Sequence, residues 1–172
     1  MASFSLLERS GFDQVAAGLF AILAGNMAVI APTGNTYGED YRIWYTAVAD
    51  GMRKEARNIV LIHQDALLIG FFQYYTNDDG LLMMEEIQII QEFQGGKFHV
   101  FRELYGYLFF ILPPGLTTVE AFANKANVKS QRILSHLGLS VVGENRSGSS
   151  FHYRGEFDKL VEWYRNEGQY RL

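Results

Sequence analysis

Residues 85–108 read EEIQIIQEFQGGKFHVFRELYGYL, and the fold turns on how this stretch is parsed. Glu86-Ile87-Gln88-Ile89-Ile90 alternates polar and apolar before a final apolar pair, the pattern of a half-buried strand. Gln94-Gly95-Gly96 follows as a turn with two permissive backbone positions. Phe98, Phe101, Tyr105, Leu108 and Phe109 then recur at helical spacing, which predicts an amphipathic helix from near Lys97. A strand, a glycine turn and a helix start together can aim free backbone N–H groups at a phosphate. An ordinary strand-to-helix turn carries the same signature, and these residues alone leave both readings open.

The chain is 172 residues long, enough for one domain with a real core. Hydrophobic residues make up 48% and charged residues 20%, the balance of a soluble globular protein. Thirteen Phe, ten Tyr and two Trp imply a large aromatic core or an aromatic-lined cleft. A net charge of -4 argues against a broad nucleic-acid-binding surface. There is no cysteine, which excludes disulfides and thiolate zinc sites and favours a cytoplasmic location. Val15 to Pro32 is nearly all apolar, with Asn26 as its one polar side chain. It is short for a membrane span and lacks the basic lead-in of a signal peptide, so a buried helix ending near Gly25 and an extended turn are expected there.

Working outward along the chain, Phe4 to Leu7 reads as a short strand. Ser10 or Asp13 can cap the first helix, Pro32 to Asp40 is loop, and Tyr41 to Met52 is a second helix. Asn58–His63 and Ala66–Tyr75 are strands, joined by a tight turn at Gln64-Asp65 and followed by a second hairpin closed by Thr76-Asn77-Asp78-Asp79-Gly80. The strand of the quoted stretch, from Leu81 to Phe93, comes next, then its helix, which ends near Pro113-Pro114-Gly115. Thr117–Ala123 is a strand, Asn127–Leu137 a helix stopped by Gly138, and Leu139–Val142 and Ser149–Tyr153 a hairpin. Phe157, Leu160, Val161 and Tyr164 mark a last helix. The order predicts a mixed α/β domain over residues 1–172, with a mostly antiparallel sheet and one strand-helix-strand crossover.

The run Asn127-Val-Lys-Ser130-Gln-Arg132-Ile-Leu-Ser-His-Leu137-Gly138-Leu139 resembles the N-x-x-S-x-R-hydrophobic-hydrophobic-x-K-x-G-F signature of the GNAT superfamily of N-acetyltransferases. It looks most like the branch that acetylates ribosomal-protein N-termini. Asn127, Ser130, Arg132 and Gly138 match, while His136 and Leu139 stand where Lys and Phe are common. The strand order is that of a GNAT-like fold. The resemblance implies acetyl-coenzyme A as co-substrate, held by Ile90, Gln91, Gln94, Gly95, Gly96, Lys97, Phe98, His99, Asn127 and Ser130. The family's pyrophosphate pattern is R/Q-x-x-G-x-G/A. Gln94 fits it, but Lys97 stands at the first glycine and His99 at the Gly/Ala position. Lys97 would compensate as a cation beside the phosphates.

The implied reaction is direct attack by an amine acceptor, which needs a base. Glu86 is the expected base, with Glu85, which in a regular strand faces the other side, as the alternative. The same residues also read as solvated charges at a strand start. A backbone N–H near Ile90 or Gln91, freed by a bulge, would serve the oxyanion. The tyrosine that often protonates the leaving thiolate is replaced by Leu134, leaving Ser130, a nearby Tyr or solvent. Asn127 would bind the pantetheine arm and is also a helix cap. Tyr41, Trp44 and Tyr45 either line the acceptor cleft or pack. The scattered histidines His63, His99, His136 and His152 make no metal site, and no metal is expected. No membrane partner is expected, and a homodimer through aromatic surfaces or the final strands stays open. The competing reading is a catalytically inactive GNAT-fold binding or regulatory protein with a degenerate loop; a relative using a bulkier acyl donor is a third.

Overall fold

The computed structural model describes residues 2–54, 56–94 and 99–166. Among these residues, seven strands and five α-helices follow in the order β1 (Ala2–Leu6), α1 (Phe12–Ile30), α2 (Tyr37–Arg53), β2 (Asn58–Gln64), β3 (Leu67–Thr76), β4 (Leu81–Ile89), α3 (Val100–Ile111), β5 (Thr118–Asn124), α4 (Val128–His136), β6 (Ser140–Glu144), β7 (Ser150–Glu156) and α5 (Phe157–Asn166). The strands neighbour one another as β1-β2-β3-β4-β5-β7-β6. β4 and β5 are parallel, from Leu81 opposite Thr118 to Met84 opposite Ala121. A parallel pair needs a crossover, and α3 supplies it. The pairs β1/β2, β2/β3, β5/β7 and β6/β7 are antiparallel. The mixed, mostly antiparallel sheet expected from the sequence is therefore present.

The chain packs as two compact units, Met1–Tyr75 with Glu86–Leu104, and Thr76–Glu85 with Tyr105–Leu172. In the first, Phe12, Ala16 and Leu19 of α1 meet Val48 and Met52 of α2 and Phe71 of β3. Tyr41, Trp44 and Tyr45 join this packing. Phe12 lies 5.6 Å from Tyr45, and Phe20 lies 5.3 Å from Tyr41 and 5.5 Å from Trp44. The helix expected to be buried is buried along one stripe, through Phe12, Ala16, Leu19 and Phe20. Ala17, Ala21, Gly25, Ala28 and Val29 face outward. The helix also runs past Gly25 to Ile30, because Asn26 is held by partners on β4. By length and composition alone, Arg9–Ile30 would suffice to cross a membrane.

Helix α2 starts four residues before its apolar pattern suggests, at a capping box visible in the sequence. The Glu39 N–H donates to Thr36 Oγ1 at 3.3 Å, and the Thr36 N–H donates to Glu39 Oε2 at 2.8 Å. Thr36 thus holds the Glu39 carboxyl below its ordinary range, and hydrogen bonds from Thr33 and Asn35 do the same for Asp40. Because both folded values are lowered, the stabilisation they give is complete above the ordinary carboxylate range. It is lost as the pH falls through the lowered values. Glu39→Gln should therefore show a shallower acid-side loss of stability than the parent in urea titrations at stepped pH.

In the second unit, Tyr105 is fully buried, its ring 5.3 Å from Trp163, and its hydroxyl reaches Met84 Sδ at 3.3 Å. Burial pushes this phenol above its ordinary range, so it stays protonated. Helix α4 ends as the sequence predicts. Gly138 has φ +89°, its N–H donates to Ser135 O at 3.1 Å, and the Leu139 N–H donates to Leu134 O at 3.0 Å. This is a Schellman cap, and Leu134 and Leu139 are both buried. Gly138→Ala should cost about 1–2 kcal/mol in urea unfolding, the usual penalty for a Cβ in the left-handed region.

Candidate functional site

The end of β4 is built by close backbone approach. A Cβ on Gly70 of β3 would lie 2.3 Å from Gln88 O and 3.1 Å from Ile89 Cα, so only glycine fits. With β3 this near, the Ile90 N–H donates to Ile69 O at 2.8 Å. Of the two N–H groups expected as oxyanion donors, those of Ile90 and Gln91, that of Ile90 is therefore already engaged. Beyond it the chain turns through a short 3-10 segment, Gln91–Phe93, not the continued strand expected to Phe93. Exposed Gln91 opens this turn, and its carbonyl accepts from the Gln94 N–H at 3.2 Å.

Gln94, the residue matching the pyrophosphate pattern, turns its side chain back onto β4, where Nε2 donates to Ile89 O at 2.6 Å. Asn26 Nδ2 donates to the same carbonyl at 3.0 Å and to Gln88 Oε1 at 2.8 Å. Gln88 Nε2 in turn donates to Glu86 Oε1 at 2.6 Å. Glu86 is half-buried and bound into this chain of amides, so it is no freely solvated strand-start charge. Glu85, also half-buried, lies in the other unit together with the β4/β5 pairing.

Gly95, Gly96, Lys97 and Phe98 lie outside the described residues. His99 bounds them, and its backbone carries the information. Its φ is +54°, a left-handed conformation rare for residues other than glycine. Histidine thus stands in a backbone conformation that favours glycine, at the position where Gly or Ala was expected. The His99 carbonyl accepts from the Glu103 N–H at 3.0 Å, so α3 opens at Val100, three residues later than the apolar spacing suggested.

In the second unit, Asn127 caps α4, its Oδ1 accepting from the Ser130 N–H at 3.0 Å. The cap occupies only the oxygen. Asn127 Nδ2 and Ser130 Oγ have no hydrogen-bond partner among the described residues. Gln131 Nε2 ties the β5–α4 loop down through Asn124 O at 3.1 Å and Lys125 O at 2.9 Å. Leu134 is buried core. On β5 and β7, which the sequence reading gave no role, Glu120 Oε2 sits 2.9 Å from His152 Nε2, and Phe122 stacks on the His152 ring at 4.6 Å. Neither residue of that pair carries a sequence-local signal, because the contact crosses strands. Among the described residues no group of three or more His, Asp or Glu side chains is placed to hold a metal ion.

No family model matches the sequence, and no curated protein matches it. Solved structures do. The PaiA N-acetyltransferase of Thermoplasma acidophilum in complex with coenzyme A superposes with a TM-score of 0.68 at 13% identity, over 91% of this chain and 99% of that one. FdhC, a nucleotide-linked sugar GNAT, gives 0.65 at 14% identity, over 98% of this chain and 92% of its own. The spermidine N-acetyltransferase of Vibrio cholerae in complex with CoA and spermine gives 0.60 at 15% identity, over 93% and 98%. By its strand order and by these likenesses, the chain has the fold of the GNAT acetyltransferases.

Proposed function

We propose that the chain is an N-acetyltransferase that moves acetyl from acetyl-coenzyme A to a primary amine. The observation that carries this reading is His99. A loop that had lost its ligand would have little reason to hold a histidine at φ +54° at the mouth of α3, where the resemblance places the diphosphate. Structural neighbours crystallised with coenzyme A support the same donor. In this reading residues 1–172 act as one acyltransferase domain, and Lys97 lends a positive charge to the diphosphate. Asn127 Nδ2 donates to the pantetheine arm. The acceptor nitrogen attacks the thioester carbonyl, a C–N bond forms, the C–S bond breaks, and Glu86 takes the ammonium proton. The thiolate is protonated by Ser130 or by solvent. A peptide N-terminus, as in the ribosomal-protein branch, is the finer assignment and rests on the Asn127–Gly138 run alone.

Isothermal titration with acetyl-coenzyme A tests it. Saturable binding is expected, weakened about tenfold, or roughly 1.4 kcal/mol, in Lys97→Glu. No heat at millimolar donor would overturn the reading. It would favour the second one, a binding or regulatory module on the same fold. That alternative draws on the engaged Ile90 N–H and on the Ile89 carbonyl, which already accepts from two side-chain amides.

A further inference from the structure

We propose that Asn26 is a positioning residue, which sets the polarity of the Gln88–Glu86 hydrogen bond from one residue further back. The inference rests on reading Glu86 as the base. The polarity follows from a group that cannot be reversed. Ile89 O can only accept, so the Asn26 atom 3.0 Å from it must be the amide nitrogen. That same nitrogen lies 2.8 Å from Gln88, so Gln88 must answer with its oxygen. Its nitrogen is then left to face Glu86 at 2.6 Å. Glu86 thereby receives a donor, which an ionised carboxylate, being an acceptor only, requires. Gln88 is nearly buried, 9% exposed, so its amide has little water to turn to instead. This also accounts for the one polar side chain in the apolar stretch from Val15 to Pro32.

A double-mutant cycle reads the relay without an acceptor. Asn26→Asp replaces the donor with an acceptor, so Gln88 lies between two carboxylates and can turn its nitrogen to only one of them. Oxygen then faces oxygen, and the urea midpoint should fall clearly. Glu86→Gln alone should cost little, because its amide can still present oxygen. In the double variant the new amide can donate to the reversed Gln88, so part of the lost midpoint should return. In a Gln88→Leu background that recovery should vanish. Additive effects of the two substitutions would overturn the proposal. A second readout needs no change at position 26. The Gln88 Nε2 proton resonance, drawn downfield by the carboxylate, should move upfield in Glu86→Gln, and an unmoved resonance would also overturn it. Acetyl transfer to spermidine as the probe amine separates the two claims. Unimpaired transfer by Glu86→Gln defeats the base reading and leaves the relay standing. Additivity defeats the relay whatever that assay shows.

Discussion

Alanine at position 70 is expected to destabilise the protein by about 3 kcal/mol or more, at the upper end for an overpacked site. The added Cβ would sit 2.3 Å from Gln88 O and 3.1 Å from Ile89 Cα. Both are backbone atoms, so no rotamer change relieves the clash; β3 and β4 must separate. Separation breaks the Ile90 N–H bond to Ile69 O and moves Gln88, on which the Glu86 contact depends. Urea unfolding of Gly70→Ala should show a large fall in midpoint, and titration of the folded fraction should show lost acetyl-coenzyme A binding. A variant within about 0.5 kcal/mol of the parent, the ordinary scatter of harmless surface changes, would mean the strands do not approach this closely.

Glu86→Gln is expected to lower turnover by roughly 10²- to 10⁴-fold, the usual contribution of a positioned base. Glutamine keeps the size of the side chain and an oxygen for Gln88 Nε2, so the hydrogen bond now at 2.6 Å can persist. What it loses is the capacity to take a proton from the acceptor ammonium. The Michaelis constant for acetyl-coenzyme A should therefore stay near the parent value while kcat falls. The measurement is release of free CoA thiol with spermidine and with a short peptide bearing a free N-terminus. Undiminished kcat with either amine would remove Glu86 from the chemistry and return attention to Glu85.

Much of this protein is legible residue by residue. Thr36 and Glu39 announce the start of α2, though the apolar spacing drew the helix start to Tyr41 instead. Gly138 stops α4, Asn127 caps it, and the hairpin turns fall within the expected Gln64-Asp65 and Thr76–Gly80 stretches, although Gln64 and Thr76 themselves close β2 and β3. Alternation through Glu86–Ile89 gives a strand, and Pro113 and Pro114 end α3 close to Ile111. The backbone demand at His99 was legible only as a departure from a family pattern. Its φ of +54° is seen only in the structure.

The features that make the candidate site are of another kind. Asn26 meets Gln88 across 62 positions of chain, and no periodicity encodes that contact. It decides that α1 runs on to Ile30, where composition alone suggested a stop at Gly25. Gly70 looks like any strand glycine until the carbonyl of Gln88 is placed against it. The Ile90 N–H is free or engaged according to where Ile69 lies, and Gln94 could have turned outward as readily as onto Ile89. Caps, turns and alternation are fixed by interactions within about four residues, so the sequence by itself determined the elements and their order. Which donor meets which acceptor at the end of β4 depends on how distant strands and helices pack. Only the tertiary structure decided that.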